Sequence, residues 1–475
     1  MRKIMILAVL AAAAQTLAAA PDPARTSDSH QSPMKSGTEQ PEQSDSLTLT
    51  QVHRWTLREC IDYAVENNIS LQQSRNSLLS GLEDTYQAKA ALLPTLSASA
   101  SEGLTNRPFA ESGSSTVIGS DVYSSSKSSS LTGNYSLSAR MTLYSGGSLR
   151  TALKQSRLQN SIDSLSVLES TNDVVISIIR AYMQCLYAQE AVKLGESTAE
   201  ASRIQRDRAV ELQKAGSLSK VDVAQLESQY ASDRYQLTSA RSSLDSYRLQ
   251  LKQLLELGVD EEMELDEPGG GEDEVLRLLP AKSEVYANAL AAMPEIGKAA
   301  LSVTSAELSV KRAKSSYAPT LAASAGLGSA NMSGTGTSLG TQLGRNFNES
   351  LGLSLSIPIF QGRQTKTAVN KAQLAADNSR LEQLGAEKAL LKEVEDVYLE
   401  ALSAQSKYVS AKEQESCAQQ SYELTLEQFG VGMKNTVELI TAQNSLLEAR
   451  VSLLQSKYTA LMNNALLDVY QGKMK

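Results

Sequence analysis

Tyr135-Ser-Leu-Ser-Ala-Arg-Met-Thr-Leu-Tyr-Ser-Gly-Gly147 and Ser350-Leu-Gly-Leu-Ser-Leu-Ser-Ile-Pro-Ile-Phe-Gln-Gly362 decide the fold. In the first, Leu137, Ala139, Met141 and Leu143 alternate with Ser136, Ser138, Arg140 and Thr142. In the second, Leu351, Leu353, Leu355 and Ile357 alternate with Gly352, Ser354, Ser356 and Pro358. Alternation with period two is the signature of a strand with one apolar and one polar face. Both strands end on an aromatic residue and a glycine turn, and each opens a very long helical pattern.

Working outward, the pattern occurs twice. Pro94-Thr-Leu-Ser-Ala-Ser-Ala is answered by Pro319-Thr-Leu-Ala-Ala-Ser-Ala, Tyr144-Ser-Gly by Phe360-Gln-Gly, and Gly216 by Gly432. The spacing predicts an internal two-fold repeat. Repeat one is 51–257, with strands at 94–104 and 133–145 and a hairpin tip at 216. Repeat two is 281–475, with strands at 319–328 and 348–360 and a tip at 432. The segment 258–280 reads as an acidic linker between them. Gly- and Ser-rich stretches, 102–132 and 329–346, read as loops.

Helix is expected over 56–93, 148–215 and 217–257, and again over 281–317, 362–429 and 433–471. Val223, Tyr230, Leu237, Leu244 and Leu251 recur every seven residues, with Leu226, Ala240, Tyr247 and Leu254 beside them; Leu439, Leu446, Leu453, Ala460 and Leu467 do the same. A sustained heptad pattern means paired, supercoiled helices. The span 148–215 holds 68 residues, about 100 Å of helix. The spans 217–257 and 56–93, with 41 and 38 residues, are long enough to lie end to end beside it.

Residues 1–20 read as a signal peptide, from Arg2-Lys3, an apolar run and Ala18-Ala-Ala before Pro21. Residues 21–50, rich in Pro, Ser and Gln, read as a disordered linker. Beyond the signal no apolar run is long enough to span a bilayer as a helix, so a membrane crossing requires a closed barrel. Four strands per chain cannot close one, so closure requires several copies. The alternative is a soluble, poreless protein: a periplasmic coiled-coil adaptor or a structural scaffold.

The net charge of −8 argues against a nucleic-acid partner. His30 and His53 both lie in or beside the tail, leaving no histidine for a triad or metal set in the folded part. Gly269-Gly-Gly-Glu lacks the Lys-Ser/Thr of a phosphate loop. The reading is therefore non-enzymatic, with no cofactor and no metal. Cys60, Cys185 and Cys417 are far apart, and their disulfide state is open at this stage.

The mature chain resembles the TolC-type outer-membrane efflux protein family. The resemblance rests on the duplicated Pro-Thr-Leu, on Ile357-Pro-Ile-Phe-Gln-Gly, and on Gly216-Ser-Leu-Ser-Lys-Val-Asp-Val-Ala-Gln with Gly432-Met-Lys-Asn-Thr-Val-Glu-Leu-Ile-Thr-Ala-Gln. It implies a mainly α protein with transmembrane β: a homotrimer whose twelve-stranded outer-membrane β-barrel continues into a long α-helical coiled-coil periplasmic barrel. It also implies outer-membrane lipid around the barrel, a periplasmic adaptor (membrane fusion) protein docked at the tips (Gly216, Ser217, Gly432, Met433), and an inner-membrane transporter behind it. The function implied is passive conduction in efflux or type I secretion.

Matched by position, Asp222 and Lys434 fall on link residues of the family's periplasmic gate and Glu438 on its acidic ring. Phe429 stands where the family has a tyrosine, and Thr441 where a second acid is expected. The residues' own pattern allows another reading: Ser219 with Asp222 and Asn435 with Glu438 have the spacing of capping boxes.

Overall fold

The computed structural model describes residues 54–473, except 107, 110–114, 119–120, 125–128, 259–260, 262, 267–270 and 335. The signal peptide and linker expected at 1–50, and both histidines, lie outside the described residues. In chain order the first half contains β1 (Arg54–Trp55), α1 (Leu57–Asn67), α2 (Ile69–Ala90), β2 (Thr95–Asn106), β3 (Ser115–Ile118), β4 (Asp121–Ser124), β5 (Ser129–Ser145), α3 (Ser148–Lys214) and α4 (Lys220–Leu254). The second contains β6 (Glu264–Leu265), α5 (Glu272–Val275), α6 (Lys282–Ala292), α7 (Pro294–Ser315), β7 (Thr320–Met332), α8 (Leu339–Arg345), β8 (Asn348–Ser356), α9 (Gln364–Gly430) and α10 (Thr436–Tyr470).

The alternating stretches meet in one antiparallel sheet of order β2-β5-β7-β8. Its register carries the pattern across all four strands as far as Thr142, where a bulge before Tyr144 shifts β5 by one residue. Ser97, Ser138, Gly326 and Ser350 form one cross-strand row, and Thr95, Arg140, Ser324 and Gly352 another. The Oγ atoms of Ser97 and Ser138, and of Ser99 and Ser136, are each 2.8 Å apart. The opposite face carries Leu96, Ala139, Ala325 and Leu351 in one row. Leu351, Leu353 and Leu355 are all exposed in the single chain. On the polar face of this four-stranded sheet, among the described residues, Arg140 is the one charged residue.

Several expectations need correction. The last strand ends at Ser356 rather than 360, because its partner β7 begins at Thr320, paired with Ser356. Pro319 and Pro358 flank that end, and a proline has no N–H to extend a ladder. The expected loop at 102–132 contains the end of β2, the hairpin β3–β4 and the start of β5. The loop expected at 329–346 contains α8, docked on β7 by hydrogen bonds from Ser329 Oγ to Leu343 O (2.8 Å) and from Asn346 Nδ2 to Ala330 O (2.8 Å).

The helices expected at 56–93 and 281–317 each divide into pieces of 11 and 22 residues. Asn68 makes the first break. Its Oδ1 accepts from Ser70 N and Leu71 N while its Nδ2 donates to Leu254 O at 3.1 Å. Met293-Pro294 makes the second, with the proline in the first helical turn, where its missing N–H costs no bond. The parallel pair β1–β6 ties the start of α1 to the segment between the halves, and the Tyr182 hydroxyl donates to Asp266 O at 2.6 Å.

The core lies midway along α3 and α9, where the shorter helices pack against them. One cluster holds Cys60, Ile178, Tyr182, Cys185, Leu186, Leu251 and Leu255; the other holds Ile179, Val285, Val394, Ala401, Leu466 and Leu467. Each fully buried Leu or Ile contributes roughly 1.5–3 kcal/mol. All three cysteines are free thiols, Cys417 exposed and the other two buried. Burial pushes the Cys60 thiol up to about 12 and Cys185 to about 11, so both pack as apolar groups.

Gly146 and Gly147 redirect the chain from β5 into α3 with φ of +62° and +83°. A Cβ on Gly146 would stand 2.6 Å from both Ala318 Cβ and Ser315 O, whereas one on Gly147 would meet nothing within 4 Å. Gly146→Ala is therefore expected to cost about 2–4 kcal/mol and Gly147→Ala only about 1. Thermal unfolding followed by circular dichroism checks this, and equal shifts for the two variants would refute the close approach.

Candidate functional site

The two long helical hairpins turn at chemically similar tips. After α3, Gly216 adopts φ +76°, and the Ser217 and Gly216 N–H groups donate back to Leu212 O (2.9 Å) and Gln213 O (3.0 Å). After α9, Gly432 adopts φ +79°, and Met433 and Gly432 donate to Gln428 O (2.8 Å) and Phe429 O (3.1 Å). This pair of bonds is the Schellman stop, which favours glycine at the left-handed position. Val431 and Met433 stay exposed.

The following helices are capped differently. At α10, Asn435 Oδ1 accepts from Glu438 N (2.9 Å), and Asn435 N donates to Glu438 Oε2 (3.0 Å). The other oxygen of Glu438 accepts from Lys434 Nζ at 2.6 Å. At α4 the expected box is only half made. Ser219 Oγ accepts from Asp222 N at 3.2 Å and donates to Asp222 Oδ2 at 2.6 Å. An aspartate is one methylene shorter than a glutamate and does not return to the cap N–H. Its Oδ1 instead accepts from Thr436 Oγ1 at 2.7 Å, on the other hairpin. Asp222 and Lys434 are therefore not paired within the chain.

Phe429 packs with Ala209, Val210, Leu218, Val223, Leu226 and Ile440, so an apolar contact joins the hairpins where a tyrosine would have offered a donor. Thr441 donates to Val437 O of its own helix at 2.8 Å and remains exposed. Thr436, nearly fully buried, was missed in the sequence: nothing local marks a helix-start threonine as the partner of an aspartate 214 positions away.

Farther from the tips along α4 lies a buried polar layer. Asp233 is 2% exposed. Its Oδ2 accepts from Ser202 Oγ on α3 and Gln443 Nε2 on α10 (3.2 Å), and its Oδ1 accepts from Gln229 Nε2 (2.9 Å). Gln229 also donates to Asn444 Oδ1 at 3.1 Å, and Gln205 to the Tyr422 hydroxyl on α9 at 2.6 Å. The layer thus joins all four hairpin helices. A signal was available: Asp233 interrupts the apolar stripe Leu226–Ala240–Tyr247–Leu254 at seven-residue spacing.

The carboxylates respond to pH in opposite directions. Hydrogen bonds from Ser219 and Thr436 hold Asp222 below the usual carboxylate range, and the Lys434 bond does the same for Glu438. Their stabilisation is present above the unfolded pKa and is lost as pH falls through the folded value. Burial raises Asp233 against two lowering hydrogen bonds. Its folded form binds a proton more readily, so stability rises as pH falls through its folded value toward the ordinary one.

Two outcomes follow. A double-mutant cycle of Asp222→Ala and Thr436→Val is expected to give a coupling of about 1 kcal/mol in unfolding at neutral pH; an additive result would mean the 2.7 Å contact does not join the hairpins in solution. Asp233→Asn is expected to remove the gain in stability on going from neutral pH to about pH 4.5. An unchanged pH profile would mean that Asp233 is not the group titrating.

The comparisons agree with this architecture. The outer membrane efflux protein family matches over 60–256 and 285–473, once in each half. "Outer membrane efflux protein BepC" of Brucella suis biovar 1 is 21% identical over 420 residues, 88% of this chain and 86% of that protein. "Alkaline protease secretion protein AprF" of Pseudomonas aeruginosa is 24% identical over 303 residues, 64% and 62%. Among solved structures, CusC superposes with a TM-score of 0.74 at 16% identity, covering 91% of this chain and 98% of its own. The outer membrane protein VceC of Vibrio cholerae gives 0.72 at 17%, covering 88% and 96%. The structural likenesses speak to the fold, and the match across both halves to descent: this chain belongs to the outer membrane efflux protein family.

Proposed function

We propose that three copies of this chain form the outer-membrane channel of a tripartite efflux or type I secretion assembly, a passive conduit from a periplasmic adaptor and inner-membrane transporter to the exterior. The observation that carries the reading is the two-faced sheet. Four strands per chain, with β2 and β8 unpaired at its edges, expose leucines on one face and a serine, threonine and glycine lining on the other. An apolar outer face and a polar inner one is the pattern of an outer-membrane barrel. Closure at twelve strands satisfies both edges, which lipid would otherwise leave unbonded. The chain is an outer-membrane protein with a periplasmic extension, and the paired helices are that extension.

Channels of this family are transport proteins, not enzymes. In the proposed assembly the two halves are the repeats of the tunnel, and their tips point away from the membrane. The exposed Val221, Val431, Met433 and Val437 offer an apolar surface for the adaptor around Gly216, Ser217 and Gly432. Three Glu438 side chains, one per copy, ring the tunnel mouth, each tempered by its own Lys434. Asp222 with Thr436, and Phe429 with its apolar partners, hold the two hairpins of one copy together, so opening has to move them as a unit or break that contact.

Protein extracted with detergent is expected to run as a trimer and to conduct in planar bilayers; a soluble, non-conducting rod would overturn the proposal. In the same bilayers Glu438→Ala is expected to lower cation selectivity, read as a shift of reversal potential under a salt gradient. An unchanged reversal potential would leave Glu438 as a helix cap alone.

A further inference from the structure

Where the sheet meets the helices, the charge balance of the chain inverts. The ten residues nearest the sheet in each of the four adjoining segments are 85–94, 148–157, 309–318 and 362–371. These forty positions hold ten Lys or Arg and no Asp or Glu. The whole chain carries −8, so the remaining residues carry −18. The first segment contributes Lys89, the second Arg150, Lys154 and Arg157. The third contributes Lys311, Arg312 and Lys314, and the fourth Arg363, Lys366 and Lys371. All ten are exposed, and among the described residues none has a side-chain hydrogen bond or ion pair.

Elsewhere on the same helices some cations are paired. Lys298 meets Glu169 at 2.6 Å, and Arg380 meets Glu307 at 2.8 Å. Local geometry gives no reason to collect cations at the junctions. Arg150 and Lys366 sit in the first turns of α3 and α9, where no acidic residue is present and the helix dipole disfavours a positive charge. Arg363 holds φ +67°, a left-handed conformation filled by Gly147 at the start of α3.

We propose that these residues form a cationic belt that binds the anionic phospholipid headgroups of the periplasm-facing leaflet. The inference rests on the outer-membrane reading above. Continuity carries it. The belt begins where the leucine-rich face of the sheet ends, and the exposed Tyr144, Tyr317 and Phe360 stand between the sheet and the cations of their own segments. An apolar band followed by aromatics and then by unpaired cations is the order in which a bilayer presents hydrocarbon, interface and anionic headgroups. The belt fixes the height of the channel in the membrane and resists its displacement when a partner pulls on the distant tips.

The test is lipid retention by native mass spectrometry. Detergent-purified full-length protein is offered equimolar phosphatidylglycerol and phosphatidylcholine. It is expected to retain the anionic lipid about fivefold or more over the zwitterionic one, a preference that falls on raising salt. Replacing Arg150, Lys154, Arg157, Lys311, Arg312 and Lys314 by Gln is expected to bring the ratio near unity. Lys311→Gln with Lys314→Gln, a milder change, is expected to lower it partway. Equal retention of the two lipids by the unaltered protein would overturn the proposal. So would a variant that keeps the preference but shifts the reversal potential, since its cations would then face the lumen. Pore formation is measured on the same preparation, so a protein that conducts without lipid preference sinks this inference and leaves the channel reading standing.

Discussion

A strand left unpaired presents a row of backbone N–H and C=O groups, and hydrocarbon offers them nothing in return, at a cost of several kcal/mol for each. In this chain that constraint falls on β2 and β8, the edges of the four-stranded sheet. They lie beside an apolar face that is itself without a partner in the single chain. In the proposed assembly the β2 edge of one copy joins the β8 edge of the next, and that closure accounts together for the copy number, the separation of leucine and serine faces, and the placement of charge beyond the ends of the strands. Even the glycine turn at Gly146, pressed against Ala318 and Ser315, serves to bring β5 into α3 without spreading the sheet.

The helices answer a different constraint. A helix as long as α3 or α9, 67 residues each, cannot be buried along its whole length by one neighbour. Each is accompanied by a 35-residue helix on one side of the middle and by an 11- and a 22-residue piece on the other. The dense core sits where those companions meet, around Ile178, Cys185, Val394 and Leu467. Asn68 and Pro294 place the breaks, and the small β1–β6 pair with Tyr182 ties the segment between the halves to that core.

Toward the tips the packing becomes polar. Asp233 and its neighbours give up apolar burial for hydrogen bonds that link both hairpins. Nearer the turns the hairpins touch through Phe429 and through Asp222 with Thr436. The contact is small, one apolar cluster and one hydrogen bond.

Periodicity and turn chemistry determined a good deal in advance. The two-faced strands were legible because period-two alternation depends only on side-chain order. The hairpin tips were legible because Gly216 and Gly432 supply a left-handed residue that few others adopt. The heptads of the long helices were legible for the same reason as the strands. What the order of residues left undecided was whatever depends on two distant segments meeting. Ser356 ends its strand because Thr320, across the ladder, begins there. Asn68 breaks a helix with help from the Leu254 carbonyl. Asp222 bonds across to Thr436 rather than only to its own cap. Local propensity sets which element forms, since backbone sterics and side-chain pattern act within a few residues. Only the tertiary structure assigns partners to the polar groups, because a hydrogen bond is decided within about 3 Å in space, whatever the separation along the chain.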